Sequence, residues 1–240
     1  MKQPHVSSSE NEDQVQSPTL HRRKFLSNLG LTAVAITGLT ACTKSETSNA
    51  LNTGSVSDSL KTGTYNDIDI LNYAYLLEQL EAAFYIMVVG NFYSGGSSWE
   101  KTRLAQIRDH EISHREFFKT ALGSSALPDM QFDFSSINFS DRMSVLGASK
   151  SFEDTGVSAY NGIAYAIKSS DYLTAAGKIV SVEARHAAYI RDLIDPLSFA
   201  DSTIVDSNGL DVANKPYNVV QTISPYLKVM PDLKSFPYTI

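Results

Sequence analysis

Two Glu-x-x-His sequences restrict what this chain can fold into more than any other feature. They occupy 111–114 and 183–186, and the three-residue spacing places both side chains of each motif on one side of a helix. The first motif begins 33 residues after Glu78, and the second begins 30 residues after Glu153. The chain therefore contains an internal repeat in which a single glutamate precedes a Glu-x-x-His motif.

The segments that carry these residues have the period of amphipathic helices. Apolar residues recur at alternating spacings of three and four in four segments: 67–91, 99–121, 141–169 and from near Asp171 to Pro196. The turns within each pair of segments are short, whereas residues 124–140 form a long connection. Since one long crossover between two hairpins is typical of some four-helix bundles, we expect an all-α, up-down bundle over residues 67–196.

The polar residues of the repeat fall on the apolar faces of the expected helices. An isolated buried charge costs on the order of several kcal/mol, and glutamates buried close together also repel one another. Two divalent cations, iron or manganese, would neutralise the carboxylates and take the imidazoles as further ligands. Glu81 is an alternative to Glu78 as the metal ligand from the first helix, although the repeat favours Glu78. The candidate metal ligands are Glu78, Glu81, Glu111, His114, Glu153, Glu183 and His186.

Two tyrosines extend the repeat. Tyr85 follows Glu78 by seven residues, and Tyr160 follows Glu153 by the same number. Two interpretations stay open, because these side chains suit either plain core packing or hydrogen bonds to metal-binding carboxylates. His110, beside the first motif, is predicted to lie on the surface.

The N-terminal part of the chain carries features of an export signal. The pair Arg22-Arg23 precedes a short apolar stretch and resembles a twin-arginine signal. Cys42 ends that stretch after Leu-Thr-Ala, as the acylated cysteine of a bacterial lipobox does. We expect residues 1–42 to be a lipoprotein signal segment, with Cys42 lipidated and holding the protein on a membrane of the cell envelope. Residues 43–66, rich in Ser, Thr, Asn and Gly, are expected to form a flexible tether.

The C-terminal part differs from the bundle. Residues 197–240 contain four prolines and lack a long helical period. We expect an irregular extension packed on the bundle, with one short helix at about residues 217–228.

Three stretches of the chain resemble the ferritin-like superfamily. They are LNYAYLLEQLEAAFY at 71–85, FEDTGV at 152–157 and VEARHAAY at 182–189. They are similar to the bacterial branch known as ferritin-like domain or desiccation-related proteins, over about residues 67–196. The resemblance implies a four-helix fold with an iron or manganese site. Members of the superfamily store iron, oxidise substrates or destroy peroxides, so the resemblance alone does not define a reaction.

Three functions fit these features. The first is a dimetal redox enzyme that acts on oxygen or peroxide at the cell envelope. The second is a non-enzymatic envelope structural or stress protein with a degenerate metal site, and the third is metal sequestration in a larger assembly. A lipid anchor and a C-terminal extension hinder assembly into a closed cage. They therefore favour the redox enzyme over metal sequestration. The net charge of −6 argues against nucleic acid as a partner. The sequence leaves a homo-oligomer open and indicates no particular redox partner.

Overall fold

Four long helices account for most of residues 65–231, the part of the chain that the computed structural model describes. They are α1 (Asp67–Gly90), α2 (Ser98–Leu122), α3 (Arg142–Ile163) and α4 (Ser170–Ile194), and the shorter α5 (Pro216–Ile223) follows. Within this described part there are no β-strands, only two isolated bridges. The prediction of an all-α bundle is confirmed. The predicted signal segment and Cys42 lie outside the described residues, as does most of the tether.

Each long helix begins after a side chain that caps it. The capping residues accept a hydrogen bond from the backbone N–H three positions later, and they are Asn66, Ser97, Asp141 and Ser169. The third helix is shorter than the predicted range 141–169, because its α-helical part ends at Ile163 and a single 3₁₀ turn follows. The carboxylate of Asp67 accepts hydrogen bonds from the N–H groups of Lys168 and Ser169 at 2.8 and 2.9 Å. These bonds hold the turn that leads into α4.

The long connection between α2 and α3 runs along the bundle. Asn72 and Gln79 lie two turns apart on α1. The amide nitrogen of each side chain donates to the backbone of the connection and the amide oxygen accepts from it, at 2.7–3.4 Å. At the far end, Arg142 at the start of α3 forms an ion pair with Glu100 at the start of α2, at 2.8 Å. The connection therefore crosses from one end of the bundle to the other, which is the predicted crossover.

Helix α1 is buried over most of its surface. Packing against α2 and α3 covers its inner faces, and the crossover bound by Asn72 and Gln79 covers part of the rest. This arrangement explains why its sequence is apolar all round rather than along one stripe. No helix of residues 65–231 is both long and apolar enough to cross a membrane.

The C-terminal extension lies against α3 and the crossover. The backbone N–H of Asn214 donates to the carbonyl of Ser158 at 2.9 Å. Tyr226 packs its ring against Phe152 of α3, with ring centroids 4.8 Å apart. Apart from α5 and one 3₁₀ turn, the described part of the extension is irregular, as expected from its prolines.

Candidate metal centre

The six residues of the repeat meet in one buried cluster inside the bundle. Helices α1 and α3 each contribute one glutamate, and α2 and α4 each contribute a Glu-x-x-His pair. Their ligand atoms form two overlapping groups, and within each group all of these atoms lie within 4.8 Å of one another. The His114 group comprises Glu78, Glu111, His114 and Glu183, and the His186 group comprises Glu111, Glu153, Glu183 and His186. Glu111 and Glu183 therefore belong to both groups.

The two groups have matching geometry. His114 Nδ1 lies 2.7 Å from Glu183 Oε1, and His186 Nδ1 lies 2.8 Å from Glu111 Oε1. Each Nδ1 also lies 3.4 Å from the single glutamate of α1 or α3, and 3.6 Å from the glutamate of its own motif. Each histidine thus approaches most closely the glutamate of the other motif, which ties α2 to α4 through both pairs.

Most of the polar atoms in this cluster have no hydrogen bond. All four glutamates are 0 % exposed. Their close contacts with the imidazoles are within ion-pair distance but lack the angles of hydrogen bonds. The atoms without a hydrogen bond are Glu78 Oε2, both oxygens of Glu111, His114 Nδ1, Glu153 Oε2, both oxygens of Glu183 and His186 Nδ1. Buried polar atoms are normally paired, so a set of carboxylate and imidazole atoms aimed at one another fits a metal site.

The comparison with known families agrees with this geometry. A model of the family described as ferritin-like domain matches residues 66–196, more than half of the chain. The chain belongs to the ferritin-like family. The match does not separate the desiccation-related branch from other members, so that finer assignment stays a prediction. No curated protein sequence matches the chain.

Burial and mutual contact shift the pKa values throughout this ferritin-like centre. Burial alone would raise the pKa of Glu183, but contacts with His114 and His186 lower it to about 2. Burial chiefly raises the pKa of Glu111 to about 8 and that of Glu153 to about 7. Burial alone would lower the pKa of His114, yet its contacts with Glu111, Glu183 and Glu78 raise it to about 12. Without metal, the imidazoles are therefore cations that partly neutralise the carboxylates.

The two tyrosines of the repeat both bind the centre. Tyr85 Oη, on α1, donates to Glu153 Oε1 on α3 at 2.5 Å, and Tyr160 Oη, on α3, donates to Glu78 Oε1 on α1. Burial raises the pKa of both phenols well above the usual value, so they remain protonated donors. Each ring packs in the apolar core while its hydroxyl donates to a carboxylate of the cluster. That these carboxylates bind metal stays a prediction.

Glu81 lies beside the centre but outside both groups. It is 3 % exposed, and a Cβ at Gly156 would come within 3.0 Å of its Oε1. The glycine therefore leaves room for this carboxyl group. Burial, followed by repulsion from Glu183, raises the pKa of Glu81 well above its ordinary value. Of the two candidates on α1, the structure brings Glu78 into the cluster.

His110 contacts the centre, which the sequence interpretation missed. Its side chain is exposed, as predicted, but its Nδ1 lies 2.8 Å from Nε2 of His186. The two rings lie edge to edge and nearly coplanar, with 9° between their planes and 5.1 Å between their centroids. The sequence does contain one indication of this contact. His110 lies four residues before His114, which places both side chains on neighbouring turns of one helix face.

Proposed function

We propose that the bundle binds two divalent cations, iron or manganese, one in the His114 group and one in the His186 group. The observation that carries this proposal is the set of buried carboxylate and imidazole atoms that lack hydrogen bonds. Glu111 and Glu183 would help to hold both ions, since both belong to both groups. Two divalent cations bring four positive charges, which balance four carboxylates while both imidazoles are neutral.

We further propose that this centre supports redox chemistry on oxygen or peroxide. Bound iron or manganese would supply the change of oxidation state. The chain itself would hold the carboxylates in place through Tyr85 and Tyr160. It would also limit access, because only the histidines of the cluster are measurably exposed, with 13 % of the His114 side chain and 6 % of the His186 side chain accessible. A small reactant would therefore approach from the side of α2 and α4.

Metal analysis of natively purified protein tests the site. We expect about two iron or manganese ions per chain. Glu111→Ala should lose both ions because it removes a ligand shared by both groups. The metal-free bundle should stay at least as stable, because the fold no longer has to bury this carboxyl, whose pKa burial raises to about 8. Glu116→Gln on the same helix is the matched control, since this side chain is about half exposed and bonds only to Arg115. Equal metal content in the Glu111→Ala and wild-type proteins would contradict the proposed site. Protein that binds no metal even when supplied with it would favour the structural or stress role.

The redox step has its own test. Protein loaded with Fe(II) should consume added oxygen or hydrogen peroxide faster than the same amount of free Fe(II), and Glu111→Ala should abolish that difference. If the wild-type protein binds two ions but reacts with neither oxidant, the site binds metal without the proposed reaction.

We also propose that the protein is exported and held on a membrane of the cell envelope. The support comes from the sequence around Arg22-Arg23 and Cys42. Mass spectrometry of membrane-extracted protein should find an acylated Cys42 at the N-terminus, and Cys42→Ser should move the protein into the soluble fraction. Membrane retention of that variant would contradict the anchor without bearing on the metal site.

A further inference from the structure

We propose that His110 is a positioning residue that makes the two metal positions unequal. It binds the outer nitrogen of His186, while His114 has no matching partner among residues 65–231. The ion in the His186 group is therefore held longer than the ion in the His114 group. This inference rests on the proposed dimetal function and names how the two halves of that site differ.

The two nitrogens of His186 have different partners. Its Nδ1 faces the carboxylates, 2.8 Å from Glu111 Oε1. A neutral imidazole that ligates through Nδ1 carries its proton on Nε2. That N–H then donates to Nδ1 of His110 at 2.8 Å. A hydrogen bond of this kind fixes the orientation of a ligating imidazole and makes it a stronger ligand.

The ring of His110 lies edge to edge with the ring of His186 and almost in its plane, with 9° between the planes. The contact therefore opposes rotation of His186 as well as binding its outer nitrogen. Because the His110 side chain is itself exposed, this support is added from the surface side of the cluster rather than from the core.

Among the described residues, His114 lacks a partner of this kind. No third imidazole is available to it, because His110, His114 and His186 are the only histidines of the described residues. Instead, His114 lines a surface groove of about 420 Å³ between α2 and α4, together with Phe117, Thr174 and Lys178. Its side chain is 13 % exposed, compared with 6 % for His186. An ion in the His114 group therefore has a less restrained imidazole and a shorter route to solvent.

Release of Mn(II) to an excess of chelator tests the proposal. Wild-type protein loaded with two Mn(II) ions should release them in a fast and a slow phase. Glu78→Gln should remove the fast phase, since this residue belongs only to the His114 group, and Glu153→Gln should remove the slow phase. These two variants assign the phases without reference to any activity.

Two substitutions at position 110 then separate the hydrogen bond from the ring contact as a whole. His110→Leu keeps an apolar side chain but no acceptor, and it should speed the slow phase roughly 10- to 100-fold while leaving the fast phase unchanged. His110→Asn places an amide oxygen near the position of Nδ1 and should keep the slow phase close to wild type. Arg103→Leu, on an exposed part of α2, controls for the introduction of a surface leucine.

The outcomes separate this inference from the function on which it rests. A slow phase in His110→Leu as slow as in wild type would overturn the role of His110, as would a single release phase from wild-type protein carrying two ions. If His110→Asn released metal as fast as His110→Leu, the hydrogen bond would be rejected as the cause. Failure of the wild-type protein to bind Mn(II) at all would instead reject the dimetal proposal itself.

Discussion

At the scale of single residues, the centre depends on hydrogen bonds that cross between α1 and α3. Tyr85 and Tyr160 bind one oxygen each of Glu153 and Glu78, and this leaves the second oxygen of each carboxylate facing the cluster. The pairing is reciprocal, because each helix supplies one tyrosine and one glutamate. It gives the internal repeat a physical reason, since both halves need the same seven-residue spacing.

Removal of either phenol should therefore weaken both the fold and the metal site. Tyr85→Phe or Tyr160→Phe leaves a buried carboxylate oxygen without its donor, which costs about 1–3 kcal/mol. Metal affinity should fall roughly tenfold or more, because the ligand is no longer oriented. Urea unfolding and chelator competition measure the two effects. Tyr217→Phe, at an exposed tyrosine, is the control. An unchanged metal affinity in both buried variants would show that these hydroxyls serve packing alone.

The ligand set could be predicted from the sequence because a buried glutamate on an apolar helical stripe needs an explanation. The choice between Glu78 and Glu81 was harder, since both lie on the inner side of α1 and only their surroundings differ. His110 could not be found in this way. This histidine is exposed, so burial gave no reason to place it at the centre, and its partner lies 76 positions away on another helix.

At the scale of elements, the helices follow from local periodicity and capping residues, while their connections do not. The crossover is held by Asn72 and Gln79, whose polar side chains look out of place on an apolar helix until the backbone beside them is known. The turn into α4 is held by Asp67, about a hundred positions away in the chain. Contacts of this kind need the folded arrangement and leave no period in the sequence.

The attachment of the C-terminal extension to α3 depends on a close contact at Gly162. Gly162 faces the backbone of Asn214, and a Cβ at this position would overlap the Asn214 carbonyl oxygen. Gly162→Ala should therefore displace the extension and break its bonds to Ser158, with an expected loss of about 1–3 kcal/mol. Faster limited proteolysis between residues 197 and 215 would report the displacement.

A second glycine of the same helix provides the control for this prediction. A Cβ at Gly147 would meet nothing within 4 Å. Gly147→Ala should be neutral or stabilising by up to about 1 kcal/mol, because alanine is the better helix former. Equal proteolysis of the two variants would contradict the close contact at Gly162.

At the scale of the whole molecule, the buried centre should control how stability changes with pH. In the metal-free protein, the carboxyls of Glu111 and Glu153 take up protons more readily in the fold than in the unfolded chain, where their pKa is near 4.5. Raising the pH above about 4.5 therefore lowers the free energy of unfolding. His114 acts in the same direction, because stability from its raised pKa is fully present below pH 6.5 and is lost as pH rises towards 12. Glu183 opposes them only under acid conditions, since stability from its lowered pKa is lost as pH falls from 4.5 towards 2.

Metal should reverse this dependence between about pH 5.5 and 8.5. Cations bind the deprotonated carboxylates and neutral imidazoles, so binding releases protons and becomes tighter as the pH rises. We expect the melting temperature of chelator-treated protein to fall over this range, while the increase on adding Mn(II) grows. The control is Glu111→Ala, which should show no increase with Mn(II) and a weaker fall with pH, because one of the titrating carboxyls is gone. Differential scanning calorimetry at matched ionic strength measures both quantities.

A metal-free protein that is more stable at pH 8.5 than at pH 5.5 would show that other groups govern its stability. A Mn(II) effect that shrinks as pH rises would mean that the metal binds elsewhere than at this protonated cluster.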